Sequence, residues 1–234
     1  MSSGSDLRTS RDSNRDGNFV VPIMDAIGLI RLDQPAWAGS EDGRRKVKMD
    51  LEFFKDYARE SERGCVLLIG EALNEQLEGL HRAYIDSSCG DNKLAKLLLS
   101  WRGPLGTFGL RVQVAYAYGL LSKDTYKDLE LLRSIRNGAA HSTMPFSLFN
   151  YIKKILSMGA VERVAKVVGG PTREQIQAAK DNLPDAEILK MAFASTGMAI
   201  GIEIATKHTE IVRQHICRLK ANTQEKVSGA VTGG

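Results

Sequence analysis

The chain has 234 residues, of which 43 % are hydrophobic and 26 % charged, and its formal net charge is +4. This is ordinary globular composition, long enough for one sizeable domain with extensions. The mild basicity is compatible with RNA binding but too weak to argue for it, and three cysteines (Cys65, Cys89, Cys217) without metal-ligand spacing suit a reducing compartment rather than a disulfide scaffold or a metal centre.

Residues 1–18 are Ser, Arg, Asp, Asn and Gly with no apolar leader core, and read as a disordered tail. Residues 19–43 form an apolar docking segment followed by a Pro- and Gly-bearing loop. Helices are expected at 44–60 and 63–86, the second with Leu73, Leu77, Leu80 and Tyr84 as its apolar stripe. Lys93–Trp101 reads as a short helix broken by Gly103-Pro104-Leu105-Gly106. Thr107 is the expected cap of the next helix, with Leu110, Val114, Ala117, Tyr118 and Leu121 as its apolar residues. Ser122 or Asp124 caps a further helix with Leu131, Ile135 and Ala139 in a row, and Pro145 forces a break. Phe146–Met158 reads as a helix, whereas Val161–Val168 fits either a strand or a helix end.

A short helix from Pro171 to Leu183 is expected next. The last helix should run from about Asp185 to Leu219, with Gly197 and Gly201 one turn apart to admit a close neighbour. Its apolar stretch, Met191–Ala205, reads as a buried helix, and no run is expected to cross a bilayer. Residues 221–234 read as a flexible tail. Cys65 and Cys217 are expected in the core. No heptad array is long enough for a coiled coil by itself. The fold class is all-α, an antiparallel bundle over 44–158 with a helical extension at 159–220, and the chain is expected in the cytoplasm without a membrane anchor.

Arg136-Asn137-Gly138-Ala139-Ala140-His141 closes the helix before Pro145. Asn137 and His141 are four apart and lie one turn from each other on one face, and the long Arg136 stem can return its guanidinium to the same patch. A planar cation, an amide and an imidazole form a usable set for phosphodiester chemistry. Gly138 and Ala139 admit close approach of a backbone or substrate. The structural reading of the same residues is a helix end, where Arg and His complement the dipole. His208 and His215, seven apart, show no metal pattern. Arg44, Arg45, Lys46 and Lys48 fit a solvated helix start or a phosphate contact.

The run from Gly103 to His141 contains Gly-Pro-Leu-Gly, then Ala115-Tyr-Ala-x-Gly119-Leu120, then Ile135-Arg-Asn-x-x-x-His141. It resembles the mannitol repressor family, and the upstream helix with Glu71-Ala-Leu-Asn-Glu-Gln-Leu-Glu-Gly-Leu80 fits the same pattern. The resemblance covers about residues 45–157. It implies a regulatory helical module in transcriptional repression. No convincing helix-turn-helix is present, and Asp124, Asp128 and Glu130 after the Gly119–Asp124 turn would repel phosphate, so a protein partner is expected rather than direct DNA reading.

The Arg-Asn-x-x-x-His ending also resembles HEPN ribonuclease domains, helical bundles that pair to form a cleft. That likeness implies a homodimer and a metal-independent endoribonuclease without cofactor, with catalytic Arg136, Asn137 and His141. Arg136 would hold the scissile phosphate, His141 would move a proton, and Asn137 would orient either. A third reading makes the motif a structural element of a dimer or ligand-sensing bundle.

Overall fold

In a computed structural model of the chain, the described residues are 57, 59–168, 172–174, 176, 177 and 186–231. The chain divides into two units between Arg59 and Glu60, and nearly all described residues belong to the second. The expected tail at 1–18, the docking segment and loop at 19–43, the basic cluster at 44–48 and most of the helices at 44–60 and 171–183 lie outside them.

Seven α-helices are described, with no strand among the described residues. Helix α1, Glu62–Cys89, starts at Ser61, whose hydroxyl accepts the Gly64 N–H, and stops at Gly90. Helix α2, Asn92–Leu99, is capped by the Asp91 carboxylate, and α3, Phe108–Ala117, by Thr107 as expected. Gly119, at φ 67°, makes the left-handed turn into α4, Lys123–His141, capped by Ser122. A 3-10 turn, Leu148–Tyr151, leads into α5, Ile152–Ser157. Helices α6, Gly159–Val168, and α7, Ala186–Val231, complete the bundle.

Helix α1 is the central element. It buries Val66, Ile69, Leu73, Leu77 and Leu80. Helix α7 covers it with Leu189, Phe193, Ile200 and Ile204, and α4 contributes Leu129, Leu132 and Ile135. Each such side chain contributes about 1.5–3 kcal/mol by leaving water. The Gly197/Gly201 step sets how closely α7 lies on α1: a Cβ at Gly197 would strike the Ile69 methyl, and one at Gly201 would stand 2.9 Å from the Gln76 amide oxygen.

A buried cation ties three elements to this core. The Arg111 side chain is 5 % exposed. Its Nε donates to the Leu105 carbonyl at 2.8 Å, Nη1 to Asn74 Oδ1 at 2.7 Å, and Nη2 to Glu78 Oε2 at 2.9 Å and the Leu99 carbonyl at 3.2 Å. The guanidinium thus satisfies one carbonyl at the end of α2 and one in the Gly-Pro-Leu-Gly connection and anchors both on α1. His81 Nε2 lies 2.8 Å from the Arg111 carbonyl. Burial, reinforced by the Arg111 cation, holds that imidazole below its ordinary pKa, against the opposing effect of the hydrogen bond.

Several expectations need correction. The buried face of α3 is Phe108, Arg111, Val112 and Ala115, whereas Leu110, Ala117 and Tyr118 are exposed. A buried Arg in the stripe displaced the periodicity that the apolar residues alone suggested. Phe146–Met158 is a 3-10 turn plus a short α-helix because Ser147 caps a tight turn at Phe149. The Val-rich segment is helix α6. Helix α7 continues to Val231 instead of ending near Leu219. Cys65 is buried, but Cys217 is exposed. Over Ala186–Ala221, α7 is also long and apolar enough to cross a membrane, contrary to expectation, although 56 % of its most apolar window is buried in the bundle.

Candidate functional site

The Arg-Asn-x-x-x-His motif forms the last turns of α4. Ile135 and Ala139 point into the core, which turns Asn137, Ala140 and His141 outward, where all three are exposed. The Asn137 and His141 side chains make no hydrogen bond or ion pair among the described residues. Arg136 is directed elsewhere. Its Nη2 meets Glu71 Oε2 of α1 at 3.2 Å, and its guanidinium carbon stands 5.8 Å from the Phe108 ring centre. Its stem crosses Gly70, where a Cβ would come within 2.5 Å of Cδ, and its Nε is buried without a hydrogen-bond partner. No hydrogen bond or ion pair joins the three motif side chains to one another.

The small residues of the motif serve packing. A Cβ on Gly138 would collide with the Tyr151 hydroxyl, so this glycine is the seat of the Tyr151 ring. Phe146 stacks on the same ring at 5.4 Å, and Lys154 lies over it at 5.5 Å while donating to Ser134. Beyond His141, Arg63 of α1 donates to the Met144 carbonyl, and Glu62 accepts the Leu148 N–H at 2.6 Å. The open surface here is therefore Asn137, Ala140, His141, Thr143 and Met144 on a well-held helix end.

A second polar cluster lies at the other end of α4, and the sequence reading missed it. The buried Asp128 carboxylate accepts the Gly159 and Ala160 N–H groups, both at 2.9 Å, and so caps α6 from thirty-one residues away. Arg163 bridges Asp128 at 3.2 Å and Glu203 of α7 at 2.9 Å, and Thr125 donates to the other Glu203 oxygen. One cleft beside this cluster is lined by Tyr126, Glu130, Leu131 and Glu162; a second, on the α7 side, is lined by Leu121, Thr125, Ile202 and Lys207. No local signal in the sequence announces the cluster, because Asp128, Arg163 and Glu203 are brought together only by packing.

No group of three His, Cys, Asp or Glu side chains among the described residues is placed to hold a metal ion. At the start of α4, Lys123, Asp124 and Lys127 face solvent, with the Lys127 ammonium 3.8 Å from Asp124. Asp128 and Thr125 at its start are buried under α6 and α7, Arg133 is held by Glu130 at 2.6 Å, and Arg136 by Glu71. The Glu130 hydrogen bond pushes the Arg133 pKa further up.

This defines an all-α bundle whose motif helix buries Asp128 and pairs both of its arginines with carboxylates. The model of the family described as mannitol repressor matches residues 80–200, more than half of the chain, and the chain belongs to that family. The match begins later and reaches further towards the C-terminus than the 45–157 expected: it leaves out residues 45–79 and takes in the part of α7 that packs into the core. No curated protein and no solved structure matches. Membership carries with it a regulatory role of the mannitol repressor kind.

Proposed function

We propose that the protein is a cytoplasmic, homodimeric regulator that takes part in transcriptional repression through contacts with another protein, without reading DNA itself. The observation that carries this reading is the engagement of the α4 arginines, Arg133 by Glu130 and Arg136 by Glu71, on a helix whose Asp124, Asp128 and Glu130 would repel a phosphate backbone. An exposed apolar edge supports it. Leu97 and Trp101 are 66 % and 77 % exposed, and the Arg102 guanidinium stacks 4.3 Å over the Trp101 ring. Trp and Arg are the residues on which protein interfaces most often concentrate their energy.

A reporter under a mannitol-utilisation promoter tests it. Trp101→Ala should relieve repression while leaving the melting temperature unchanged, and the purified chain should not shift the promoter duplex. Sequence-specific binding of that duplex by the protein alone would overturn the proposal.

A second reading rests on the openness of Asn137 and His141, one turn apart and without partners. In a dimer these residues would supply a metal-independent endoribonuclease with two imidazoles. Arg136 would have to leave Glu71 to hold a phosphate. Cleavage that persists in a chelator and falls roughly 10²–10⁴-fold in His141→Ala would establish this reading. A protein that leaves a broad RNA panel intact would remove it.

A further inference from the structure

We propose that the free C-terminal half of α7 is a docking surface for an acidic amphipathic helix of a partner protein. This inference stands apart from the preceding section and concerns residues beyond the family match, which ends at 200. Among the described side chains, Ile211 is the last buried residue of α7, yet the helix continues to Val231. Twenty residues, about 30 Å of helix, therefore extend past the core.

This extension is amphipathic. Ala205, Thr209, Val212, Ile216, Leu219 and Thr223 alternate in steps of three and four along one face, and all are exposed. Val212, Ile216 and Leu219 are 36, 46 and 52 % exposed, at the centre of that seam. Three successive large aliphatic residues facing water on one stripe are what a partner helix would cover.

The flanking charges specify the partner. Arg213 and Lys220, seven apart, border one edge of the seam, and neither has an ion pair among the described residues. Between Ile204 and Gln224 the sole acidic residue is Glu210, and it is already engaged by Lys207 at 3.0 Å and Gln214 at 3.1 Å. The other edge carries His208 and His215. A second copy of the same seam would offer no carboxylate to either edge. The seam spans fewer than three heptads, with Thr209 and Thr223 among its positions, which is too little apolar contact to hold two copies without such pairs. A helix with an Ile/Leu seam bordered by Glu or Asp meets both requirements.

The test uses the full chain and a fluorescein-labelled three-heptad peptide with Ile and Leu in its seam and Glu at both borders. A second peptide with Lys at the borders is the comparison. Anisotropy should show roughly tenfold tighter binding of the Glu peptide. Arg213→Glu with Lys220→Glu should reverse the preference, and Ile216→Ser with Leu219→Ser should abolish binding of both. Circular dichroism and sedimentation should show these surface variants folded and of wild-type mass. Equal binding of the two peptides, wild-type binding by the Ser variant, or a seam variant that changes the oligomeric mass would overturn the proposal; the last would assign the seam to a second copy.

Discussion

Arg111→Met keeps the volume and the apolar stem of the side chain and removes the guanidinium. The Leu99 and Leu105 carbonyls then lose a buried donor, and each bare acceptor costs about 1–3 kcal/mol. Glu78 is affected less, since its side chain is 36 % exposed and keeps Arg82 at 2.9 Å. The sum is roughly 3–5 kcal/mol, as when one partner of a buried charge pair is removed. Against a total stability of about 5–15 kcal/mol that is a large fraction. Urea unfolding followed by circular dichroism at 222 nm reads it as a lower midpoint with unchanged slope. Arg111→Lys should fall between, because an ammonium cannot span the Leu105, Asn74 and Glu78 acceptors at once. A Met variant within about 1 kcal/mol of wild type would refute the role of this cation as the clamp between α1, α3 and their connection.

Three further outcomes follow from the same geometry. The His81 pKa is lowered in the folded state, so the unfolded chain binds the proton more readily; stability should be full above the unfolded pKa near 6.5 and decline as pH falls from there towards the folded value, and His81→Gln should flatten that part of a pH series of melting temperatures. Asp128→Ala removes the cap of α6 and leaves Arg163 with Glu203 alone, at a cost of roughly 2–3 kcal/mol in chemical denaturation; amide exchange across Gly159–Val168 should accelerate most, and uniform acceleration would count against a capping role. Gly138→Ala should destabilise by about 1–3 kcal/mol through overpacking on Tyr151, and Tyr151→Phe in the same chain should recover part of the loss; an Ala variant as stable as wild type would show that Tyr151 yields freely.

The legible part of this fold was local. Thr107 was identifiable as a cap because a hydroxyl before an apolar run has one good use, and Ser122 was one of two candidates, with Asp124, for the cap of α4. The paired glycines of α7 announced a close neighbour because a missing Cβ lets another helix approach. The stripe of α1 was legible because Leu73, Leu77 and Leu80 repeat at the helical period. Helix α3 misled because its inward face includes Arg111, whose partners Asn74 and Glu78 lie more than thirty residues away. The motif was half legible: spacing correctly put Asn137 and His141 on one face, but only packing shows that Arg136 turns to Glu71. The helical state of Val161–Val168 was undecidable locally, since its cap is supplied by another helix.

That borrowed cap has a consequence for the order in which the chain folds. Helix α6 begins at a glycine, and the carboxylate that satisfies its first amides sits in α4. Closing that loop costs entropy before the contact returns anything. Helix α6 should therefore form late, once α4 is in place, while the locally capped α4 can begin alone. Because Arg163 joins Asp128 to Glu203, the docking of α7 near that point falls in the same late step. A refolding experiment should find the α4 caps outside the slow phase and the Asp128 contacts within it.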